Sequence, residues 1–451
     1  MAIGDSVTRF VVLACILALC LSAQNDEDEF RVYADHPRLI LTAQRLRLLK
    51  RERERESPRW RQFETLLKGT ASLPEPGFAL ALYYAVTADD AAAKRAVEWA
   101  LGPANDLRQI ALVYDWCQPV FTPEQSAALA AKIRGLAQKR TADSVPVQRD
   151  KVLAWIAIAD DAKHSEEQPL QELVRQWRME YAPSLEAGSA ALLLPDLYAM
   201  LEILHAVRDN LKIDLRAAAP GYFQHLAKYL VMGNYPAPYR APENEFRIPM
   251  YPGGANASPD LNRAALARAA GLSQVAYDNN NLENQFLQGW LIQDRFSLMT
   301  AFGTPYEFLW ANPYQPGLSY FQLPLVFHDE NSGALFVRSS WEEDADWFGL
   351  LDGQAELFHS GRATVVDRTT SGSAAPQPLQ LGETSVIFGR APFRFSTEGG
   401  TVLAIGLEPR HAYLVETDDE EMQEGTTDRA GTLVLEYPAG RAAGVRVHGP
   451  T

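Results

Sequence analysis

Tyr198, Glu202 and His205 stand four and three residues apart, the spacing that sets side chains on one face of a helix. A tyrosine and a histidine so placed can pass a proton to and from a ligand while the glutamate orients them. The same three side chains can equally satisfy one another inside a core, because Leu192–Val207 is apolar nearly all round. Tyr222, His225 and Tyr229 repeat the geometry one helix later, where the core reading is preferred. A second group lies in Asn234–Pro259, a stretch rich in Pro, Asn, Tyr and Gly. Its Tyr235, Tyr239, Arg240, Arg247, Tyr251 and Asn256 offer flat rings for sugar faces and donors for carboxylates. Its plainer reading is an ordered surface lid. Trp116, after Asp115, either lines a cleft or packs within a helical hairpin. His359 closes a strand-like run and is followed by Ser360-Gly361-Arg362, so it faces either a ligand or water.

The elements that must carry these residues fall into two blocks. From Thr42 to about Gln293, apolar residues recur near every 3.6 positions, in Phe78–Val86, Ala91–Leu101, Leu107–Cys117, Ala127–Leu136, Val152–Ala159, Leu170–Trp177, Leu192–Val207, Tyr222–Val231 and Leu261–Val275. Ser57-Pro58 and Ser258-Pro259 read as N-caps before a first-turn proline, and Thr122-Pro123-Glu124-Gln125 as a capping box. The arginines and glutamates of Arg45–Arg61 read as a solvated helix face. Short links make neighbouring helices antiparallel, hence stacked hairpins. Near Pro305 the period changes to short strands between Gly, Pro and Asp clusters: Leu323–Phe327, Ala334–Val337, Trp347–Leu351, Ala363–Val366, Ser385–Phe388, Phe393–Phe395, Val402–Ile405, Ala412–Val415, Thr432–Glu436 and Gly444–Val447. These predict an all-β part built as a sandwich. Arg368–Gly382 reads as a loop excursion, and the acidic Asp418–Glu421 as a solvated hairpin.

Composition narrows the classes. The 451 residues are 47% hydrophobic, enough for two cores, and the net charge of -15 disfavours nucleic acid as a partner. Residues 1–23 have the shape of a secretory signal peptide, with an apolar run from Phe10 to Ser22 too short to span a bilayer. The expectation is a secreted or periplasmic protein with no membrane span. Cys15 and Cys20 leave with that segment, so Cys117 stands alone as a small core residue. No zinc spacing, phosphate loop, nucleotide fingerprint or Gly-x-Ser-x-Gly elbow is present, and no cofactor or metal is expected.

His36-Pro37-Arg38-Leu39-Ile40-Leu41-Thr42, Tyr114-Asp115-Trp116 and Arg338-Ser339-Ser340-Trp341 with Ala345 resemble three marks of the heparinase II/III-like polysaccharide lyases. The resemblance implies an N-terminal (α/α) toroid, residues 24–304, followed by a C-terminal antiparallel β-sandwich, residues 305–451. It also implies β-elimination on uronate-containing acidic polysaccharide in a cleft between them. Where members carry an Asn–His pair this chain has Gln148-Arg149-Asp150. Where they carry a Tyr before a long helix it has Glu186-Ala187-Gly188-Ser189-Ala190. Their H-x-H-x-D-x-G-S-F run is reduced to His359. Elimination requires neutralising a carboxylate, removing the proton beside it and protonating the leaving oxygen. Here those roles fall to Tyr198, His205 and His359 as acid–base residues. Trp116, Arg149, Tyr239, Arg240, Arg247, Tyr251, Asn256 and Arg362 are the substrate-binding candidates. Two further readings stay open. One is a catalytically inactive glycan- or protein-binding descendant. The other is a toroid glycoside hydrolase using two of Asp115, Asp160, Asp161, Asp196 and Glu202.

Overall fold

The computed structural model describes residues 30–450 apart from 33–34, 160–165, 189–193, 243, 367–375 and 419–420. The expected signal peptide and most of the Arg368–Gly382 excursion lie outside the described residues. Helices run first and strands later, with one short hairpin, β1 (Tyr239–Arg240) and β2 (Glu245–Phe246), among the helices.

Six helices follow one another in space: α3 (Pro76–Thr87), α5 (Leu107–Trp116), α7 (Val145–Ile158), α10 (Leu194–Leu211), α12 (Leu261–Tyr277) and α14 (Gly303–Trp310). Each packs on the next, and α14 packs back on α3 and on α2 (Pro58–Lys68). The helices between them in sequence, such as α4 (Asp90–Leu101), α6 (Pro123–Lys139) and α13 (Leu282–Leu291), lie against this succession. The reason is compositional. The inner helices are apolar on most faces, α5 burying nine of its residues, whereas α6 buries only Leu129, Ile133 and Ala137.

Local chemistry sets the ends. Ser57 accepts from the Trp60 amide, splitting Arg45–Arg61 into α1 (Ala43–Glu54) and α2. Thr122 and Gln125 form the expected capping box. At α12 the cap is Asp260, which accepts from the Arg263 amide, rather than the expected Ser258. A carboxylate directly before the first helical residue is well placed at the positive end of the helix dipole. Helix α14 runs across the expected boundary at 304/305 and packs with the helices.

Two of the resembling sequence marks prove to hold each other. Asp115, fully buried, accepts from the amides of Arg38 at 2.9 Å and Leu39 at 2.8 Å, and Trp116 donates its indole N–H to the Leu39 carbonyl at 2.9 Å. This clasp fastens the segment before α1 to the end of α5.

The strands form three sheets. The first is β3 (Val326–Asp329), β4 (Ala334–Arg338), β5 (Trp347–Leu351), β6 (Gln354–His359) and β7 (Arg362–Val365), in that order and antiparallel throughout. Its alternate residues face two cores. Phe336, Trp347 and Phe358 turn to the helices, whereas Leu335, Val337, Phe348 and Leu350 turn to the next sheet. That next sheet has the order β14 (Leu433–Tyr437), β11 (Gly400–Ile405), β9 (Thr384–Phe388), β8 (Leu379–Leu381). It is covered on its other face by the third, ordered β10 (Phe393–Thr397), β15 (Ala443–Pro450), β12 (Ala412–Thr417), β13 (Glu421–Thr426). The pairing is antiparallel except for β9 with β11, which is parallel because β10 crosses to the outer sheet between them.

Candidate functional site

The first turns of the ring helices converge on one carboxylate. Glu202, in the middle of α10, is fully buried. Arg108, the second residue of α5, reaches it with Nε at 2.9 Å and Nη2 at 2.7 Å. Arg149 of α7 donates Nη1 to Oε2, which Arg108 Nε also reaches, at 2.8 Å, and the Tyr198 hydroxyl donates to Oε1 at 2.8 Å. The network continues outward. Arg108 Nη1 bonds Glu75, the residue before α3, at 3.1 Å, and Tyr306 of α14 donates to the same carboxylate at 2.5 Å. Arg149 Nε donates to Asp150 at 2.7 Å, and Arg140 holds the other oxygen of Asp150 at 2.5 Å. Phe78 and Tyr306 cover the Arg108 guanidinium at 4.9 and 5.4 Å.

Every group here is committed. Burial pushes the Glu202 carboxyl up, but Arg108 and Arg149 pull it below the usual carboxylate range. Burial drags Arg149 down and Glu202 more than offsets it, holding the guanidinium above its ordinary value. Burial and the neighbouring Glu202 carboxylate raise the Tyr198 phenol well above its ordinary value. Its oxygen also accepts from the Trp310 indole at 3.0 Å, so the phenol has neither a proton to spare nor a lone pair open to a ligand. His205 is not bonded to Glu202. Its ring packs on Trp310 at 4.7 Å and Tyr277 at 5.0 Å, and Nε2 lies 3.0 Å from the Ser273 carbonyl, the arrangement of an N–H donor. Burial lowers its pKa to about 3, so it is neutral throughout the physiological range. Tyr198, His205 and Arg149 are therefore linked through Glu202 and Trp310; Tyr198 is buried between them, whereas His205, 3% exposed, and Trp310 also border a cleft toward the end of α10.

The other expected residues are dispersed. Trp116 is buried in the clasp. Tyr239 is 41% exposed, and Arg240 carries an 82% exposed side chain 3.3 Å from Glu245 across the β1–β2 hairpin. Arg247 points inward, sandwiched by Trp290 at 4.4 Å and Phe296 at 4.0 Å, and burial lowers its pKa to about 9. Tyr251 accepts from the Asp260 amide at 3.2 Å and carries the Arg263 guanidinium over its ring at 4.5 Å. Asn256 is exposed in a 3-10 turn. His359 and Arg362 face each other across the β6–β7 turn. The histidine side chain is 66% exposed and lies 2.6 Å from Asp346, away from Tyr198 and His205.

Sequence reasoning missed Glu75, Arg108, Tyr306, Trp310 and Glu356. Glu75 before Pro76, and Arg108 after the capping Asp106, stood at helix starts, the one signal that could have found them. Glu356 had none. It lies fully buried under the lid, accepts from the Tyr235 hydroxyl at 2.6 Å, and is raised above the ordinary carboxylate range by burial. Among the described residues no three His, Cys, Asp or Glu side chains are grouped to hold a metal ion. No described helix is long and apolar enough to cross a membrane.

No protein-family model matches the chain, and comparison with curated proteins finds no match. Among solved structures it is similar to the crystal structure of heparan sulfate lyase HepC from Pedobacter heparinus, with a TM-score of 0.38 and 13% sequence identity, over 83% of this chain and 75% of that chain.

Proposed function

We propose that this is an exported glycan-binding protein that engages uronate-containing acidic polysaccharide where helices and first sheet meet, and that it does not cleave it by elimination. In this reading the helical succession is an incomplete (α/α) toroid, residues 24–311. The stacked sheets that follow are an elaborated sandwich, and residues 1–23 are a signal peptide. One observation carries the proposal. Glu202 is fully buried with all its neighbours committed, Arg108 and Arg149 to its charge and Tyr198 to its lone pair. Ionising Tyr198 would set a second negative charge beside buried Glu202, and withdrawing either arginine would strip that carboxylate of half its pairing; each costs several kcal/mol. Support for binding comes from the rim. Tyr239 and Arg240 stand in solvent, and Arg263 lies on Tyr251 within electrostatic reach of Asp196 at the start of α10.

The test is binding of heparin, chondroitin sulfate and alginate by wild type and by Arg240→Gln/Arg263→Gln. The expected result is binding of at least one of them, weakening as salt is raised and reduced in the variant. Absence of binding to all three would replace this reading with a protein-interaction role.

A further inference from the structure

The end of the ring away from the Glu75–Arg108 network holds a cleft of about 870 Å³, within the range of small-molecule sites. It is lined by the last turns of α10, α12 and α14 and roofed by α1. Four arginines, Arg45, Arg47, Arg51 and Arg208, stand in its lining against one acid, Asp209. In a chain of net charge -15 that is a local reversal of sign.

Two of the four have structural work. Arg45 donates to the Leu309 and Trp310 carbonyls at 3.4 and 3.1 Å, and Arg208 donates to the Tyr277 carbonyl at 2.7 Å. Both satisfy the carbonyl ends of helices, where cations are stabilised. Arg47 and Arg51 differ. Both are exposed. Neither has a carboxylate partner among the described residues, and Arg51 has only the Tyr314 ring, 5.9 Å away. Standing four residues apart on α1, they present two guanidiniums on one helix face, about 5–6 Å apart at Cβ. That spacing suits successive anionic groups of one ligand, each of which a guanidinium can hold through two parallel hydrogen bonds. Gln44 and Asn279 add amide donors and acceptors to the lining, and Tyr314, 39% exposed, adds a ring that also carries the Arg55 guanidinium at 4.9 Å. Amides and paired guanidiniums are groups that a hydroxyl-rich ring bearing acid substituents can use.

We infer that this cleft is a second binding site, for a short anionic saccharide bearing carboxylate or sulfate groups, with Arg47 and Arg51 as its anion-holding residues. The site is independent of the rim described above. The test is hydrogen exchange of the full chain over residues 43–54. The probes are a sulfated uronate tetrasaccharide, an unsulfated uronate tetrasaccharide, a neutral tetrasaccharide of the same length, and inorganic sulfate. Slowed exchange is expected with at least one of the two anionic sugars and with neither the neutral sugar nor sulfate; comparing the two anionic sugars tells which acid group is read. In Arg47→Gln/Arg51→Gln, whose folding is checked by an unchanged Tm, the concentration giving half-protection should rise about ten-fold or more. In Arg240→Gln/Arg263→Gln it should stay as in wild type. Protection unchanged in the first variant, equal protection by inorganic sulfate or the neutral sugar, or no protection by either anionic sugar overturns the inference. Protection lost only in the second variant also overturns it, while leaving the rim reading intact.

Discussion

His205→Gln separates a buried neutral histidine from an exposed catalytic one. In the folded chain burial holds His205 at about 3, against an ordinary value of 6.5. Between those values the unfolded chain binds a proton that the folded chain refuses, so stability falls as the pH is lowered through that window. The slope is about 1.4 kcal/mol per pH unit, which amounts to about 2 kcal/mol between pH 6.5 and 5, before most carboxylates titrate. Glutamine keeps an N–H within reach of the Ser273 carbonyl but does not titrate. It loses ring packing on Trp310 and Tyr277 and costs about 1–2 kcal/mol at neutral pH. Urea midpoints at pH 7, 6 and 5 should therefore show the wild type losing about 2 kcal/mol more than the variant on acidification. The other histidines are common to both proteins and cancel. Parallel pH dependences would show that His205 takes up its proton in the fold as in the unfolded chain, and would return it to the list of available acids and bases.

Glu202→Gln leaves Arg108 and Arg149 buried without their shared carboxylate and should cost about 3–5 kcal/mol in urea unfolding at neutral pH. Because the folded carboxyl sits below its ordinary value, its stabilisation is present above the usual carboxylate range. The difference between wild type and variant should therefore shrink as the pH falls through the folded value. Tyr235→Phe removes the donor from buried Glu356 and should cost about 1–3 kcal/mol, read in the same assay. Asp115→Ala opens the clasp on Arg38 and Leu39; limited proteolysis near residues 36–42 should speed up while global stability falls by no more than about 3 kcal/mol.

The ring helices and most strands were legible because their apolar residues repeat with one period and their ends carry caps, as at Ser57 and Thr122. Strand β6 was read only as the run that His359 closes and was given no bounds, because its residues 354–359 mix a buried Glu356 into an otherwise alternating pattern. Edge strand β13 escaped because it is exposed along its length. The three-layer stacking was hidden for a different reason. A strand covered on both faces, such as Ala334–Arg338, reads as one apolar run and does not say how many sheets cover it. At the site, helical spacing correctly placed Tyr198 with Glu202. Spacing within one helix could not reveal that Arg108 and Arg149 arrive from two others, nor that Trp310 stands between Tyr198 and His205. Arg247 was expected to meet a carboxylate, yet it meets two aromatic rings, because an arginine in a lid reads the same from sequence whichever way it turns.

A closed ion network in the interior of the ring, as proposed, leaves no group free to carry out elimination. Elimination leaves a conjugated, ultraviolet-absorbing uronate, whereas binding leaves the polymer intact. Continuous absorbance of heparin, chondroitin sulfate and alginate incubated with the folded protein is the direct measurement. No increase above the protein-free control is expected. A rapid increase that disappears in folded Tyr198→Phe would contradict it.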